Sequence, residues 1–382
     1  MLVGGTVRDL MRSQKSQDID LVTDLSPATL NAIGFHPVEA SSGTTIYFRH
    51  LPPFGRIEIT RIENMASLEN DLSRRDFTIN AMAMTLNGTL IDPLDGSPDV
   101  AERIVRACRN DSFTGDPLRI FRAFRFEAVG WHMTPETGAL IKKSDWSHVF
   151  HSMPVERFSN EMLKALAGET PERFFQQMIE YEVGAEFLPE LFRLPSIPAG
   201  PLRHHPEGDL FSHSIQVLQR VTAHSDDPLA RFCAFFHDIG KLATDPALYP
   251  KHHGHDHTGF SMAVELCNRL RLSTAYRTAL AWISNLHGKA NLWDTLRNAT
   301  KLTMAERALK AGIVDILPLV AAADKADNPP MTGWDTVVGI AGLNTRELEI
   351  DQEKLAAMPV KNRAAFILNK RIQLLGSVIT PE

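Results

Sequence analysis

The chain has 382 residues, of which 43% are hydrophobic and 23% are charged, and its formal net charge is −6. This length exceeds one ordinary domain, so we expect roughly two to four domains with a sizeable core. The globular composition excludes a disordered chain. The negative charge excludes a uniformly basic surface, so any nucleic acid must be bound through local basic patches.

No apolar run is long enough to span a membrane, and Arg8 interrupts any secretory pattern at the N-terminus. The three cysteines, Cys108, Cys233 and Cys267, form no C-x-x-C pair, which indicates a reducing compartment rather than a disulfide framework. We therefore expect a cytoplasmic protein without membrane contact, as a monomer or homodimer.

The stretch Met1 to Val22 contains the first candidate site. Leu2-Val3 indicates a strand, Gly4-Gly5 a turn, and Thr6 to Met11 a short helix. Two glycines at a helix N-terminus bring backbone N–H groups close to an anion, and the dipole of the helix also favours negative charge there. Arg8 adds a forked donor that suits phosphate. Gly4, Gly5 and Arg8 are therefore predicted to bind nucleotide.

Asp18 and Asp20 follow in the next predicted strand. Residues two apart in a strand point to the same side, so these carboxylates are presented together. Beside a phosphate cradle they can hold divalent metal ions for attack on a nucleoside triphosphate. We predict both to be catalytic metal ligands. Either motif alone is more often a plain turn or a solvated strand end, and only the combination is specific.

The remaining head is predicted as a helix over Ser26 to Phe35 and strands over Thr45 to Phe48 and Arg56 to Thr60. Glu58 is a candidate third carboxylate, although a strand residue that faces water is the favoured interpretation.

A polar string beside an apolar segment follows at Arg74 to Ala83, where the periodicity does not decide between helix and strand. Arg74 and Arg75 suit the phosphates of a nucleotide, while Asp76 and Asn80 suit the ribose hydroxyls. All four are predicted to bind nucleotide.

A helix is predicted after Asp116, which suits an N-cap, and Pro117, which suits the first helical position. Asp116 and Arg119 are three residues apart and can share one face. Such a pair accepts the amine of cytosine or adenine and rejects the carbonyl of uracil or guanine. Arg122 is also predicted to bind nucleotide, although the arginines on this helix could form a solvated stripe.

The C-terminal half contains a different candidate site. His237-Asp238 is followed by Gly240-Lys241, and His213 and Asp327 supply a second imidazole and a second carboxylate. This set suits an octahedral divalent ion such as Mg, Mn, Ni or Fe. Such a site can activate water for attack on a phosphoester. Four further histidines are weaker candidates, since each alone is more often a surface or core residue: His252, His253, His255 and His287.

The motifs resemble those of the class II tRNA nucleotidyltransferases (CCA-adding enzymes) and bacterial poly(A) polymerases. The resemblance covers G-G-x-V-R-D, D-x-D, R-R-D-F-T-I-N-A-M-A, D-P-L-D-G and D-x-x-R. The later half resembles the HD phosphohydrolase superfamily, and Lys251 to His255 resembles a segment of the multifunctional CCA proteins of enteric-type bacteria. The family pattern has Glu before the D-x-x-R motif, where this chain has Gly115.

This resemblance implies an α+β head like that of polymerase beta, with a mixed sheet and helices, followed by an all-α neck, body and HD tail. The implied division is 1–105 for the nucleotidyltransferase head, 106–165 for the neck, 166–202 for the body, 203–330 for the HD domain and 331–382 for a C-terminal helical segment.

The implied function is addition of C and A to the tRNA 3′ end from CTP and ATP, with Mg²⁺ in the head and a divalent metal in the HD domain. The HD half is expected to hydrolyse phosphomonoesters or 2′,3′-cyclic phosphates. The interval Arg61 to Ser73 is short for the family, so addition of CC alone is one alternative. A poly(A) polymerase and a non-catalytic RNA-binding remnant are the others.

Overall fold

The computed structural model describes residues 1–16, 18–39 and 45–378, so the last four residues of the predicted C-terminal segment lie outside the described part. The chain divides into two compact units. The head unit comprises Met1–Met153 with Arg173–Val183, and the tail unit comprises Pro154–Glu172 with Gly184–Glu382.

The head unit contains a seven-stranded mixed sheet in the order β3-β4-β5-β2-β1-β6-β7. β2 and β5 are parallel, and the other neighbouring pairs are antiparallel. The strands are β1 Leu2–Val3, β2 Asp18–Thr23, β3 His36–Glu39, β4 Thr45–Leu51, β5 Gly55–Arg61, β6 Ala83–Met84 and β7 Leu90–Ile91. A second sheet pairs β8 Ile104–Val105 with β9 His132–Met133 in parallel. The strands predicted around Leu2, Asp18, Thr45 and Arg56 are therefore confirmed.

Alternation along β2 determines which of its side chains enter the core. Ile19 and Leu21 pack against a cluster that includes Ile57 and Ile59 of the neighbouring strand. Val22 packs instead in a second cluster with Val3. Because successive strand residues point to opposite faces, the side chains at positions 18 and 20 lie on the same side as Val22, outside the first cluster.

Helices form most of the remaining head unit. The Ser26 hydroxyl accepts a hydrogen bond from Thr29 N at 3.1 Å, so the predicted helix after Ser26 is present but ends at Ala32. The helices are α1 Gly4–Met11, α2 Pro27–Ala32, α3 Leu68–Ser73, α4 Gly96–Glu102, α5 Ser112–Gly115, α6 Leu118–Ala128, α7 Pro135–Lys142 and α8 Ser147–Ser152. Thr78–Asn80 is a 3-10 helix.

The tail unit is helical, and acidic residues begin several of its helices. Asp209 Oδ1 accepts from Ser212 N at 2.9 Å, and Asp227 Oδ1 accepts from Leu229 N at 2.9 Å. The remaining helices are α9 Val155–Leu166, α10 Glu172–Tyr181 (mostly within the head unit), α11 Pro189–Arg193, α12 Leu210–Thr222, α13 Pro228–Phe236, α14 His255–Arg269, α15 Thr274–Ala290, α16 Asn298–Ala311, α17 Ile316–Asp324, α18 Trp334–Gly342, α19 Gln352–Ala357 and α20 Val360–Val378. Within the described ranges, no helix combines the length and hydropathy that crossing a membrane requires.

Two candidate functional sites

The start of α1 lies against the first residues of the acidic strand β2. Gly4 has φ of +63°, and a β-carbon on it would lie 2.8 Å from Arg75 Nη1 and 3.3 Å from Asp20 Oδ2. A β-carbon on Gly5 would lie 3.6 Å from the same Asp20 oxygen. Glycine is required at position 4 both by the backbone angle and by the close approach of these side chains. The structure therefore brings Gly4, Gly5, Asp20 and Arg75 to one place.

Thr6 fixes β2 against α1, a role that its sequence context does not reveal. Its buried hydroxyl donates to Asp18 O at 3.2 Å and accepts from Asp20 N at 2.8 Å. These two bonds determine where the backbone of both aspartates lies relative to the glycine turn. A hydroxyl at the first turn of the helix is the only sequence signal that could have found this residue.

The acidic side of β2 has a third carboxylate. Asp20 is paired in register with Glu58 of β5, and the Glu58 side chain is 29% exposed and bonded to Arg56. The Glu58 side chain is thus partly exposed, and its role as a third carboxylate stays a prediction. Burial, followed by repulsion from Glu58, raises the pKa of Asp20 to about 6 despite the opposing charge of Arg75. Excess negative charge of this kind fits a divalent cation.

Asp76 connects the polar string to α6. Its Oδ2 accepts from Arg122 Nε at 2.8 Å and lies 2.6 Å from Arg122 Nη2, while its Oδ1 accepts from Phe77 N at 2.8 Å and Asn80 Nδ2 at 3.0 Å. Burial would raise the pKa of Asp76, but the Arg122 charge and these hydrogen bonds hold it well below its usual range. Asn80 Oδ1 in turn accepts from Arg8 Nη1 at 2.7 Å. Four predicted nucleotide-binding residues thus form one bonded chain.

Arg119 is held by main-chain oxygens of the same string. Its Nη2 donates to Arg74 O at 2.8 Å, and its Nη1 donates to Arg75 O at 3.3 Å and Ser112 O at 3.1 Å. Asp116 Oδ1 accepts from Leu118 N at 3.3 Å, but the helix begins at Leu118 with Pro117 at its N-cap. The prediction of Asp116 as N-cap and Pro117 as the first helical residue is therefore one residue too early. Asp116 and Arg119 are both half-buried, whereas the Arg74 side chain is exposed.

The second site is a buried cluster in the tail unit, formed by α12, the end of α13 and α17. His213 Nε2 lies 3.0 Å from Asp324 Oδ1 and 3.4 Å from Asp238 Oδ2. His237 Nε2 lies 3.5 Å and 3.3 Å from the same two oxygens. These four ligand atoms lie within 4.8 Å of one another, and all four residues are buried. Two imidazoles and two carboxylates are a donor set that fits a divalent transition metal or Mg²⁺.

The electrostatics of this cluster also favour a cation. Burial lowers the pKa of His213, but hydrogen bonds with Asp238 and Asp324 outweigh it and raise this pKa to about 10. The pKa of His237 rises to about 9 because the same carboxylates outweigh its burial. Burial alone would raise the pKa of Asp238, but Lys241 and His237 hold it well below its usual range. Lys241 Nζ lies 2.6 Å from Asp238 Oδ2.

One predicted metal ligand is corrected by the structure. Asp324, rather than Asp327, lies in the cluster, and Asn291 donates a hydrogen bond to its Oδ2. α17 ends at Asp324, and the chain continues in extended conformation at Lys325. Asp327 is therefore carried away from the face that it would share with Asp324 in a longer helix, and it is exposed.

None of the four weaker histidine candidates belongs to this cluster, although His255 and His287 lie near Asp238 in a separate group. His252 Nε2 donates to Pro198 O at 2.7 Å, and its Nδ1 bonds the Thr244 hydroxyl at 2.9 Å. His253 is exposed. We regard His252 as a residue that fixes the loop before α14.

Three protein families match parts of the chain. The Poly A polymerase head domain matches residues 54–106, and the HD domain matches residues 210–328. A third family, described as "Probable RNA and SrmB- binding site of polymerase A", matches residues 130–194. The HD match contains all four residues of the buried cluster in the tail unit. The head match contains Arg74 to Asn80, whereas Gly4, Asp18, Asp20 and Asp116 lie outside it.

Curated relatives are similar over most of the chain. The multifunctional CCA protein of Methylococcus capsulatus is 34% identical over 353 residues, which are 87% of this chain and 82% of the relative. That of Vibrio cholerae is 34% identical over 321 residues, which are 79% of this chain and 78% of the relative. Each similarity covers more than three quarters of this chain.

Solved structures share the fold. The Bacillus stearothermophilus CCA-adding enzyme in complex with CTP has a TM-score of 0.62 at 22% identity, covering 99% of this chain and 87% of that chain. The Thermotoga maritima CCA-adding enzyme complexed with tRNA has a TM-score of 0.62 at 21% identity, covering 100% and 88%. The predicted α+β head with a helical remainder is thereby confirmed.

Proposed function

Because this chain belongs to the family of the multifunctional CCA proteins, we propose that it adds C and A nucleotides to the 3′ end of tRNA from CTP and ATP. The names of its relatives and the solved complexes with CTP and ATP support this activity. We also propose the domain division 1–105, 106–165, 166–202, 203–330 and 331–382. The observation that carries the proposal is the convergence of Gly4, Asp20 and Arg75 at the start of α1.

In this proposal, Asp18 and Asp20 hold Mg²⁺ in the head, with Glu58 adding negative charge beside them. When bound, Mg²⁺ would favour the deprotonated 3′ hydroxyl of tRNA and neutralise the pyrophosphate that leaves. The protein's own contribution is to position the triphosphate. The first turn of α1 presents N–H groups at its N-terminus, and the guanidinium of Arg75 adjoins them. Arg8 and Arg74 add positive charge to this surface.

The choice of base would depend on Asp116 and Arg119. A carboxylate accepts from the exocyclic amine of cytosine or adenine, and a guanidinium donates to the neighbouring ring nitrogen or carbonyl. Because main-chain carbonyls hold Arg119, its position does not depend on a nucleic-acid template. Uracil and guanine present a carbonyl where the amine is needed, and would meet the carboxylate with like polarity.

The test is incorporation of labelled CTP and ATP by the full-length protein into a tRNA that lacks its 3′ CCA. We expect Asp18→Ala to abolish incorporation and Asp24→Ala, at an exposed position just beyond the same strand, to leave it unchanged. Equal incorporation by Asp18→Ala and the wild-type protein would remove the metal assignment.

The same assay separates the alternatives. The interval Arg61 to Ser73 contains only a 3-10 turn at Met65–Ser67 and the short helix α3, which keeps addition of CC alone open. Robust addition of A to a tRNA that ends in CC excludes that alternative. Long A tails on any RNA would identify a poly(A) polymerase, and tRNA binding without incorporation would identify a remnant.

For the HD domain we propose that His213, His237, Asp238 and Asp324 hold a divalent ion, either Ni, Mn, Mg or Fe, and that the domain hydrolyses phosphomonoesters or 2′,3′-cyclic phosphates. The buried donor set supports this assignment. When bound, the ion would lower the pKa of water for attack on phosphorus. His237→Ala and Asp238→Ala should lose both metal and hydrolysis, whereas His224→Ala, at an exposed position in the same unit, should lose neither.

A further inference from the structure

A row of side chains crosses the sheet of the head unit from Asp20 to the edge strand β3. Asp20 of β2 is paired in register with Glu58 of β5, and Glu58 is paired with Phe48 of β4. Phe48 is paired in turn with His36 of β3. Residues that face each other across neighbouring strands point to the same side of a sheet. All four side chains therefore lie on the face that carries the catalytic aspartates proposed above.

The contacts of Phe48 agree with this placement. The guanidinium carbon of Arg56 lies 5.6 Å from the centroid of the Phe48 ring. The His36 ring lies 6.3 Å from the same centroid, at an angle of 59°. The neighbouring residue Tyr47 packs on the opposite face, in the apolar cluster that includes Ile59. Phe48 therefore points to the acidic face and not into that cluster.

The groups around the Phe48 ring are accessible to solvent. Phe48 itself is half-buried and His36 is exposed, while the Arg56 and Glu58 side chains are 56% and 29% exposed. An accessible aromatic ring beside a guanidinium offers two flat groups, and unstacked nucleobases bind to both kinds. This part of the face is therefore suited to a nucleobase.

The position of the triphosphate decides which nucleotide would use this surface. In the proposed function, the triphosphate lies at the start of α1, beside Arg75. β1 leads directly into α1, and β5 and β4 lie on the other side of β2 from β1. In-line attack on phosphorus comes from the side opposite to the leaving pyrophosphate. The attacking 3′ hydroxyl is therefore expected from the side of β5 and β4.

We propose that Phe48, with Arg56 beside it, binds the terminal nucleoside of the acceptor RNA, which carries the attacking 3′ hydroxyl. This assignment rests on the proposed transfer of nucleotides to a 3′ end. Neighbouring strands are about 4.8 Å apart, so the backbones at Phe48 and Asp20, with β5 between them, are about 10 Å apart. The base and ribose of one nucleotide span that distance. A base stacked on the ring thus places its 3′ hydroxyl beside the carboxylates.

Arg56 supplies positive charge on a face that is otherwise acidic. Its side chain is bonded to Glu58 at 2.8 Å and is more than half exposed, so its remaining donors are accessible to solvent. The phosphate that joins the terminal nucleoside to the rest of the RNA needs such a cation, because three carboxylates lie nearby.

Stacking suits an acceptor whose last base changes as the reaction proceeds. In the proposed reaction, the terminal base is first that of the shortened tRNA and then the C that has just been added. Every base has a face on which an aromatic ring stacks, whereas the hydrogen-bonding edges differ between bases. Phe48 therefore accepts each successive 3′ end, while Asp116 and Arg119 select the incoming base.

The test is a thermodynamic cycle between the protein and the RNA. The full-length protein is titrated, without triphosphate, with a tRNA that lacks its 3′ CCA and carries either its normal terminal base or an abasic terminal residue. Stacking of a base on an aromatic side chain changes affinity by about 5- to 150-fold. We expect Phe48→Ala and the abasic residue each to weaken binding within this range. The abasic residue should have no further effect on Phe48→Ala.

Three further variants define the cause of the loss. Phe48→Leu keeps the apolar bulk without an aromatic face and should behave as Phe48→Ala, whereas Phe48→Tyr should behave as the wild-type protein. Phe54→Ala is the matched control, because Phe54 is 59% exposed but lies in the turn between β4 and β5. It should leave both affinities unchanged. In incorporation assays, Phe48→Leu should raise KM for tRNA and leave KM for CTP unchanged.

The phosphate contact is tested by the salt dependence of the same binding. Arg56→Gln should reduce the slope of log K against log salt by about 0.7, the value for one phosphate on a single strand. Arg49→Gln should leave the slope unchanged, because Arg49 bonds Ile33 O on the opposite face of the sheet. Equal slopes for Arg56→Gln and the wild-type protein would exclude this contact.

Equal weakening by the abasic residue in Phe48→Leu and in the wild-type protein would overturn the stacking surface, since the two losses would then be independent. Phe48→Leu keeps this outcome accessible if Phe48→Ala does not fold. The binding cycle needs no catalysis, so it separates the two ideas. Coupled losses without incorporation by the wild-type protein would remove the transfer reaction alone, and incorporation with independent losses would remove the stacking surface alone.

Discussion

The ion pair between Asp76 and Arg122 provides the sharpest test of how α6 is held in the head unit. In the wild-type protein, two nitrogens of the Arg122 guanidinium lie 2.8 Å and 2.6 Å from Asp76 Oδ2. In Asp76→Asn, the same nitrogens face an amide group that also donates. Removing one partner of a buried pair destabilises a protein by about 3–5 kcal/mol. The Arg122 side chain is 33% exposed and can regain some water, so we expect the lower end, about 3 kcal/mol.

This loss should depend on pH in a defined direction. The folded-state pKa of Asp76 lies below its usual range, so its contribution is present in full above the unfolded pKa of about 4 and is lost as the pH falls through the folded value. At pH 7 the melting temperature of the head unit should fall by about 6–12 °C. The difference between variant and wild-type protein should shrink below about pH 4.

The assay is thermal unfolding by calorimetry and circular dichroism at several pH values. The control is Asp111→Asn, which removes a pair with Arg109 in which both side chains are about half exposed, at 48% and 60%. Such surface pairs contribute under about 1 kcal/mol. Equal destabilisation by the two variants, or a loss of stability in Asp76→Asn that grows as the pH falls, would refute the reasoning.

Two further predictions concern other buried polar contacts. Thr6→Val leaves the Asp20 N–H without its acceptor, which costs about 1–3 kcal/mol and should lower nucleotide incorporation. Thr6→Ser keeps the hydroxyl and should retain incorporation. Full activity of Thr6→Val would contradict the positioning role of Thr6. Arg231→Met leaves three backbone carbonyls without their donor and should lower the free energy of unfolding of the tail unit by about 3–5 kcal/mol, measured in urea. Asp226→Asn, at the exposed partner of Arg231, should change that free energy by under about 1 kcal/mol. Similar urea midpoints for the two variants would contradict this prediction.

Local patterns predicted much of the head. The alternation around Asp18 and Asp20 predicted β2, because one of its faces packs against apolar residues of the sheet. The position of Glu58 beside Asp20 depends on the parallel register of β2 with β5, which brings together residues about forty positions apart. No local sequence pattern contains that register. Glu58 could therefore be proposed as a third carboxylate, but its position beside Asp20 could not be predicted.

The tail unit shows the same limit at its buried cluster of candidate metal ligands. His237-Asp238 was recognisable because the two residues are adjacent, but the choice between Asp324 and Asp327 depended on where α17 ends. Both positions suit a ligand if the helix continues, since residues three apart share a face. His255 and His287 likewise become neighbours only through the packing of α14 against α15, which composition alone does not reveal.

The hydrogen bonds of Arg119 to main-chain carbonyls affect which sequence changes the head unit can tolerate. Its guanidinium bonds the carbonyls of Arg74, Arg75 and Ser112, and a carbonyl is present whatever side chain its residue carries. Substitution of the Arg74 or Arg75 side chain therefore leaves this anchorage in place. Insertion or deletion of a single residue between Ser73 and Asp76 would instead move two of the three acceptors. Among related sequences, the length of this segment should therefore vary less than the identity of its side chains.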